Sequence, residues 1–313
     1  NLNRYHIRYL VIDEFDKCLE MGFQDEMSRL VKSLPGLRRH FLLSATEAEE
    51  IPRFVHMGRV EKIDYRMDEE QVPERVHIYK VESPVKDKLE SLGMLLRSLG
   101  DQSTIVFLNY RDSVERTNKY LVEQGFSTSF FHGGLEQKER EASLYRFSNG
   151  SANILVSTDL ASRGLDIPDI DNIIHYHMPE SEDGYIHRVG RTARWEAQGR
   201  AFFLLGPEEH IPDYVDAEVE DYEIPAVEEL PMPAKPKMAT LYIGKGKKDK
   251  ISKGDILGFL CKKGGLNSSE IGKIDVNDRY AYAAIARPKL RSVLNNVKGE
   301  KIKGVKTIVE EVR

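Results

Sequence analysis

Three patterns predict an α/β chain built in three parts. Strand and helix signals alternate over residues 75–207, a shorter strand–helix–strand pattern precedes them, and a compact βαββαβ order follows. Residues 1–67 read as the C-terminal part of one parallel-sheet domain and 75–207 as a complete second one. Residues 208–236 read as an acidic, proline-containing linker, and 237–313 as a small α+β domain.

Charge divides the chain in the same way. From Lys237 to Arg313 there are 18 Lys and Arg against 8 Asp and Glu, whereas the rest carries 28 against 43. An acidic body with a basic appendage points to a polyanion as partner. Cys18 and Cys261 stand far apart, which excludes a disulfide framework and a cysteine metal site and suits a reducing, cytoplasmic setting. No apolar run approaches the roughly 18 residues of a membrane span. The chain opens on Asn1, and a strand pattern follows almost at once, so it reads as a fragment that begins inside a domain.

Ile7 to Ile12 is β-rich and apolar and ends in Asp13-Glu14-Phe15-Asp16. Carboxylates at the C-terminal end of a strand stand where open α/β sheets bind ligands. The same residues equally suit an N-cap and acidic first turn. Residues 17–34 predict one amphipathic helix stopped at Pro35-Gly36, and His40 to Leu43 a strand leading into Ser44-Ala45-Thr46. Residues 66–74 lose periodicity and read as a linker.

From residue 75 onward, strands are expected at 76–81, 104–108, 127–131, 153–157, 171–176 and 201–205, with helices at 85–99, 111–124 and 136–148. His132-Gly133-Gly134 and Thr158-Asp159 follow two of these strands. The octapeptide His187-Arg188-Val189-Gly190-Arg191-Thr192-Ala193-Arg194 comes before the last strand. A spacing of three sets Arg191 and Arg194 on one helix face, where two guanidinium forks could reach one anion; a solvated basic helix end is the plainer alternative. Residues 208–231 hold ten acidic residues and no Lys or Arg, a solvated spacer with some helix near 212–221. In the tail, strands are expected at 239–243, 270–276, 280–286 and 305–312 and helices at 252–263 and 288–297. That is the ferredoxin-like plan which RNA-recognition (RRM-like) modules use. Lys245, Lys247, Lys248 and Lys250, with Arg287, Lys289 and Arg291, are candidate phosphate contacts, and Tyr242, Tyr280 and Tyr282 are candidate base-stacking residues, each equally readable as core.

Asp-Glu-Phe-Asp, Ser-Ala-Thr, Ser-Thr-Asp…Arg-Gly-Leu-Asp and His-Arg-Val-Gly-Arg-Thr-Ala-Arg, taken in this order, resemble motifs II, III, V and VI of the DEAD-box RNA helicases. Ile105-Val106-Phe107 resembles motif IV, and Gln137-Lys138-Glu139-Arg140 the Gln-x-x-Arg element. The tail looks like the C-terminal RNA-binding domain of the DbpA-type helicases. The resemblance implies a partial and a complete RecA-like domain, ATP and Mg²⁺ as cofactors, and RNA as partner. Matched by position, Asp13 would hold Mg²⁺ and Glu14 would position the attacking water. Asp16, Ser44, Thr46 and His187 would couple nucleotide state to domain closure, and Asp166 would reach the ATP ribose. Arg191 and Arg194 would be arginine fingers, and Gly133, Gly134, Arg140 and Thr158 would lie along the RNA backbone. Lys245, Lys247, Lys289 and Arg291 would hold RNA in the tail. By the same resemblance the target is a hairpin of 23S ribosomal RNA in large-subunit precursors, and the protein is a monomer. Two departures stand out. Phe15 replaces the usual Ala, and no Gly-x-x-x-x-Gly-Lys-[Ser/Thr] phosphate loop occurs, so the chain alone is expected to be inactive. A non-enzymatic RNA-binding protein and a superfamily 2 DNA translocase are the alternatives.

Overall fold

The computed structural model describes residues 3–20, 23–44, 61–63, 75–159, 170–192 and 198–312. The 66–74 linker, Thr46, Asp166 and Arg194 lie largely or wholly outside these. The chain divides into two compact units, Asn1–Glu70 and Gln71–Arg313.

In the first unit, β1 (Tyr9–Ile12) and β2 (Arg39–Leu42) pair in parallel, Ile12 beside Leu42. The single helix expected over 17–34 is instead two, α1 (Phe15–Glu20) and α2 (Gln24–Lys32). Phe15 explains its own departure from the family pattern. It is buried against Met27, with Ile12, Cys18, Leu19 and Leu42 packed round it, so the larger ring fills the space under the strand pair. Tyr9, Val11, Phe41 and Leu43 are exposed, an apolar surface on strands of a type that normally has both faces covered.

The second unit holds two sheets. The larger is entirely parallel and uses β3 (Val76–Glu82), β4 (Thr104–Phe107), β5 (Thr128–Phe131), β6 (Ile154–Ser157), β7 (Asn172–His175), β8 (Gly199–Leu205) and β9 (Val219–Asp221). Their spatial order is β5-β6-β4-β7-β8-β3-β9. Successive strand residues alternate between two apolar layers. Val106, Val156, Ile174 and Phe202 face one, filled from α3 (Leu89–Leu99) and α4 (Arg111–Glu123). Ile105, Leu155, Ile173 and Phe203 face the other, filled from α5 (Gln137–Ser148) and α6 (Glu182–Val189).

β9 corrects the sequence reading of the acidic segment. Instead of helix near 212–221, Val219, Glu220 and Asp221 add a strand beside Ile78, Tyr79 and Lys80. Tyr222 and Ile224 then pack on the core. Two cations fasten the rest. Arg97 donates to the carbonyls of Leu230 (2.6 Å) and Pro231 (2.7 Å). Buried Lys88 donates to the carbonyls of Tyr176 (2.5 Å) and Leu204 (2.8 Å) and to the Glu209 carboxylate. Burial lowers the Lys88 pKa; for Glu209 burial acts upward but is outweighed by the Lys88 hydrogen bond, which holds the carboxyl below its usual range. The segment is a strap lying on the domain.

His175, on β7, is fully buried between Phe203 (centroids 4.5 Å apart, stacked) and Tyr185, and neither ring nitrogen has a hydrogen-bond partner among the described residues. Burial, assisted by the nearby Arg188 charge, holds its pKa well below 6.5. The unfolded chain therefore binds a proton that the folded one refuses, and stability falls as pH drops below about 6.5, by up to about 1.4 kcal/mol per pH unit. His175→Phe is expected to flatten that loss, as read by urea denaturation at pH 7.5 and pH 5.5. An unchanged difference between the two pH values would assign the acid sensitivity to other groups.

The smaller sheet is antiparallel. Its strands β10 (Met238–Ile243), β11 (Ile271–Val276), β12 (Ala281–Ala286) and β15 (Val309–Glu311) lie in the order β11-β12-β10-β15. That is the fourth-first-third-second order of the split βαβ plan, with α7 (Lys253–Lys262) and α8 (Leu290–Asn296) on one face. The strand expected over 305–312 is split. A separate hairpin, β13 (Lys301–Ile302) and β14 (Val305–Lys306), precedes β15.

Candidate nucleotide and RNA sites

In the first unit, the acidic motif leaves β1 at its carboxyl end. The Phe15 N–H donates to the Leu43 carbonyl and the Leu43 N–H to the Ile12 carbonyl, both at 2.9 Å. This exchange sets Ser44 at the strand end beside Asp13 and Glu14. Glu14 takes a left-handed backbone (φ 49), and its N–H donates to Asp13 Oδ1 at 3.0 Å. Left-handed non-glycine residues are costly and gather at functional sites. Asp13 is exposed and Glu14 half-buried; the side chain of Asp16 is outside the described residues.

In the second unit, the candidate residues gather at the carboxyl edge of the parallel sheet. After β5, buried His132 accepts the Gly134 N–H on Nδ1 (3.1 Å), and its Nε2 lies 3.1 Å from Glu115 Oε1. A Cβ on Gly134 would meet the His132 ring at 3.1 Å, which is why a glycine suits this turn. Both glycines are exposed, but the Gly134 N–H is committed internally to His132. After β6, the Thr158 N–H donates to the Phe131 carbonyl at 3.2 Å, which joins the two loops. Arg140 sits in the first turns of α5, half-buried.

The basic octapeptide is organised by an arginine that the sequence reading did not single out. Arg188 is fully buried on α6. It forks onto the Asp159 carboxylate after β6, donates to the His177 carbonyl after β7 (2.8 Å) and to Asn109 Oδ1 after β4 (2.8 Å), and covers the Phe107 ring. One side chain ties three loops together. The helix ends at Val189 with Gly190 as its C-cap, so Arg191 lies in the turn that follows. The expected pairing of Arg191 with Arg194 on a helix face falls partly outside the described residues, because Arg194 is not among them; Arg191 itself is beyond the helix end. The Arg191 carbonyl accepts from the Ile170 N–H at 3.3 Å. His187 Nε2 lies 3.2 Å from Asp183 Oδ1, one turn back on α6.

The three tail tyrosines are placed differently from the sequence expectation. They lie on the sheet face opposite α7 and α8, and that face docks on α5. Tyr282 is 3% exposed and stacks on Tyr145 of α5 with centroids 5.0 Å apart. The Tyr280 hydroxyl donates to Glu141 (2.5 Å), and Lys138 lies over the rings of both Tyr242 and Tyr280. Asn149 donates to Thr240 Oγ1 at 2.9 Å, and the Tyr145 hydroxyl to the Lys273 carbonyl. Burial pushes the Tyr282 hydroxyl pKa up to about 12. An open groove of about 670 Å³ borders the contact, with Tyr145, Lys247, Lys253 and Lys273 on its walls.

Comparison with known proteins decides the family. The DEAD/DEAH box helicase profile matches residues 2–54, the helicase conserved C-terminal domain 87–196, and the DbpA RNA binding domain 240–311. The ATP-dependent RNA helicase DbpA of Escherichia coli is 34% identical over 304 residues, 94% of this chain and 65% of that protein. The Bacillus subtilis DbpA is 30% identical over 326 residues, 95% of this chain and 68% of that protein. The chain belongs to the DbpA-type DEAD-box RNA helicases. It spans about two thirds of the length of these curated relatives. Saccharomyces cerevisiae Dbp5, solved bound to RNA and ADP BeF3, is 24% identical, with a TM-score of 0.56 over 69% of this chain and 59% of that chain, a likeness of fold.

As a member of this family the chain has RecA-like parallel-sheet architecture and an RRM-like antiparallel module. Asp13, exposed at the end of β1, fits a Mg²⁺ site of the kind that takes one or two protein carboxylates and completes its shell with phosphate and water. No group of three or more potential ligands occurs among the described residues. Of the tail cations, Lys245 is paired with Asp249 (3.0 Å) and Lys289 with Glu270 (3.1 Å), while Lys247 and Arg291 are exposed and have no acidic partner among the described residues. Among the described residues no helix is long and apolar enough to cross a membrane.

Proposed function

We propose that this chain supplies the water-positioning, arginine and RNA-contacting parts of an ATP-dependent RNA helicase, an RNA-stimulated ATPase that parts short duplexes locally. The observation that carries this reading is that one chain holds an acidic pair at the end of β1 and an arginine-bearing turn at the carboxyl edge of a second parallel sheet. Phosphoryl transfer needs metal-holding carboxylate, oriented water and guanidinium charge, and each is represented. Asp13 would hold Mg²⁺, which when bound neutralises phosphate charge. Glu14, with its backbone turned out of the helix, would orient the attacking water and take its proton. Arg191 and Arg194 would meet the γ-phosphate, and Asp166 the ribose. Asp16, Ser44, Thr46 and His187 would link that site to domain closure. Gly133, Thr158 and Arg140 would follow the RNA backbone, which suits binding without sequence preference. Gly134 would act there only by shaping the turn, because its N–H is held by His132.

The RRM-like module would supply target choice, on a hairpin of 23S ribosomal RNA during large-subunit assembly, in the cytoplasm and as a monomer. Two cysteines far apart in the sequence accord with a reducing compartment. The test is ATP turnover with and without ribosomal RNA, on this chain and on a form extended upstream of Asn1 to include a phosphate loop. Turnover is expected only in the extended form, stimulated by RNA, and lowered at least about a hundredfold by Glu14→Gln. RNA-stimulated turnover that survives Glu14→Gln would overturn the assignment.

A further inference from the structure

The docking of the tyrosine face on α5 raises the question of where the RRM-like module meets RNA. Its sheet is covered on both sides, by α7 and α8 on one and by α5 on the other; Thr240, Tyr282 and Ala284 on the α5 side are each 3% exposed or less. Base stacking on that face would require the contact to open.

The exposed cations lie elsewhere. In the β13–β14 hairpin the register sets Lys301 directly opposite Lys306. Both are exposed, and among the described residues neither has an acidic partner within 4 Å; exposed Lys298, just before the hairpin, has none there either. Like charges facing across an antiparallel pair destabilise it, yet the hairpin is firmly seated. Ile302 is buried in the module core, and α7 packs against β13. The turn residue Lys303 takes a left-handed backbone (φ 50) and is held by the Lys250 carbonyl at 3.2 Å. Lys262 and Lys263 end α7 beside it, the latter 3.1 Å from Glu300. Among the described residues, six lysines from two neighbouring segments are thus offset by only Glu300 and Asp255.

We propose that this lysine hairpin is the module's RNA-gripping site, with Lys298, Lys301 and Lys306 on the phosphate backbone. The proposal rests on the reading of the module as RNA-binding. A bound polyanion would relieve the facing Lys301 and Lys306 charges, and a rigid seat means that little ordering is needed on binding. Contacts of this kind carry affinity and salt dependence without sequence readout.

The experiment is fluorescence anisotropy of the full chain with a labelled RNA hairpin over a salt series, for wild type, the triple variant Lys298→Ala/Lys301→Ala/Lys306→Ala, and Tyr242→Ala. The three lysines are exposed and two of them repel each other, so thermal melting of the triple variant is expected to match or slightly exceed wild type. Its affinity is expected to fall about tenfold or more at physiological salt, and the log–log salt slope by about three. Tyr242→Ala is expected to bind like wild type. An unchanged triple variant with weakened Tyr242→Ala would place RNA on the sheet face and overturn the proposal. Equal competition by polyglutamate and unlabelled RNA would overturn it too, reducing the hairpin to a general anion surface. Absence of RNA binding in wild type itself would instead remove the RNA-binding reading of the module, and the proposal with it.

Discussion

Arg188→Ala is expected to destabilise the second unit by about 3 kcal/mol, read as a drop in the urea midpoint at unchanged slope. Breaking one side of a buried ion pair typically costs about 3–5 kcal/mol. The lower end applies because Asp159 is 44% exposed and can rehydrate, whereas Arg188 is wholly buried. The rest of the loss comes from the His177 carbonyl and Asn109 Oδ1, which lose a donor, and from the space left over Phe107. Arg188→Lys should recover little, because an ammonium cannot reach Asp159 and Asn109 with one rigid fork. In an active, upstream-extended form the same change should lower RNA-stimulated turnover, since the loops bearing Thr158 and Arg191 lose their common anchor. A loss under about 1 kcal/mol would mean that the loops are held by the sheet alone.

Arg188 also marks the limit of what the sequence could tell. The strands of the parallel sheet were legible because each is a short apolar run at regular spacing. Their carboxyl ends were legible because polar residues follow at once. The octapeptide advertised phosphate chemistry, but three arginines in eight residues look alike in one dimension. Which of them turns inward depends on Asp159, His177 and Asn109, brought together from three loops. Helical spacing also misled for Arg191, because Gly190 ends the helix between Val189 and Arg191. The acidic strap was misread for a related reason. Val219, Tyr222 and Ile224 are scattered among carboxylates and acquire an apolar role only beside β3 and the core.

Tyr145→Ala is the second large effect. Helix α5 has two partners, Leu144 and Phe147 toward the parallel sheet and Glu141 and Tyr145 toward the RRM-like module. Removing a buried aromatic ring typically costs about 3–5 kcal/mol, and here the loss falls on the contact between two separately cored sheets. The prediction is that one calorimetric transition for residues 75–312 becomes two, and that amide protection over 238–312 separates from that over 75–205. Tyr145→Phe keeps the stack on Tyr282 and loses the hydroxyl's hydrogen bonds, that to the Lys273 carbonyl among them, so about 1 kcal/mol and a single transition are expected. An unsplit transition in Tyr145→Ala would mean that the Arg97 grip on 230–231 and the Asn149–Thr240 bond suffice for coupling. The functional stake is geometric. A docked module presents its lysine hairpin at a fixed position relative to the loops carrying Gly133 and Thr158, whereas a released one leaves that position to the linker. Tyr145→Ala should therefore preserve hairpin affinity in the anisotropy assay while weakening the advantage of an RNA that carries both a hairpin and a single-stranded extension, because effective concentration falls when the link is loose.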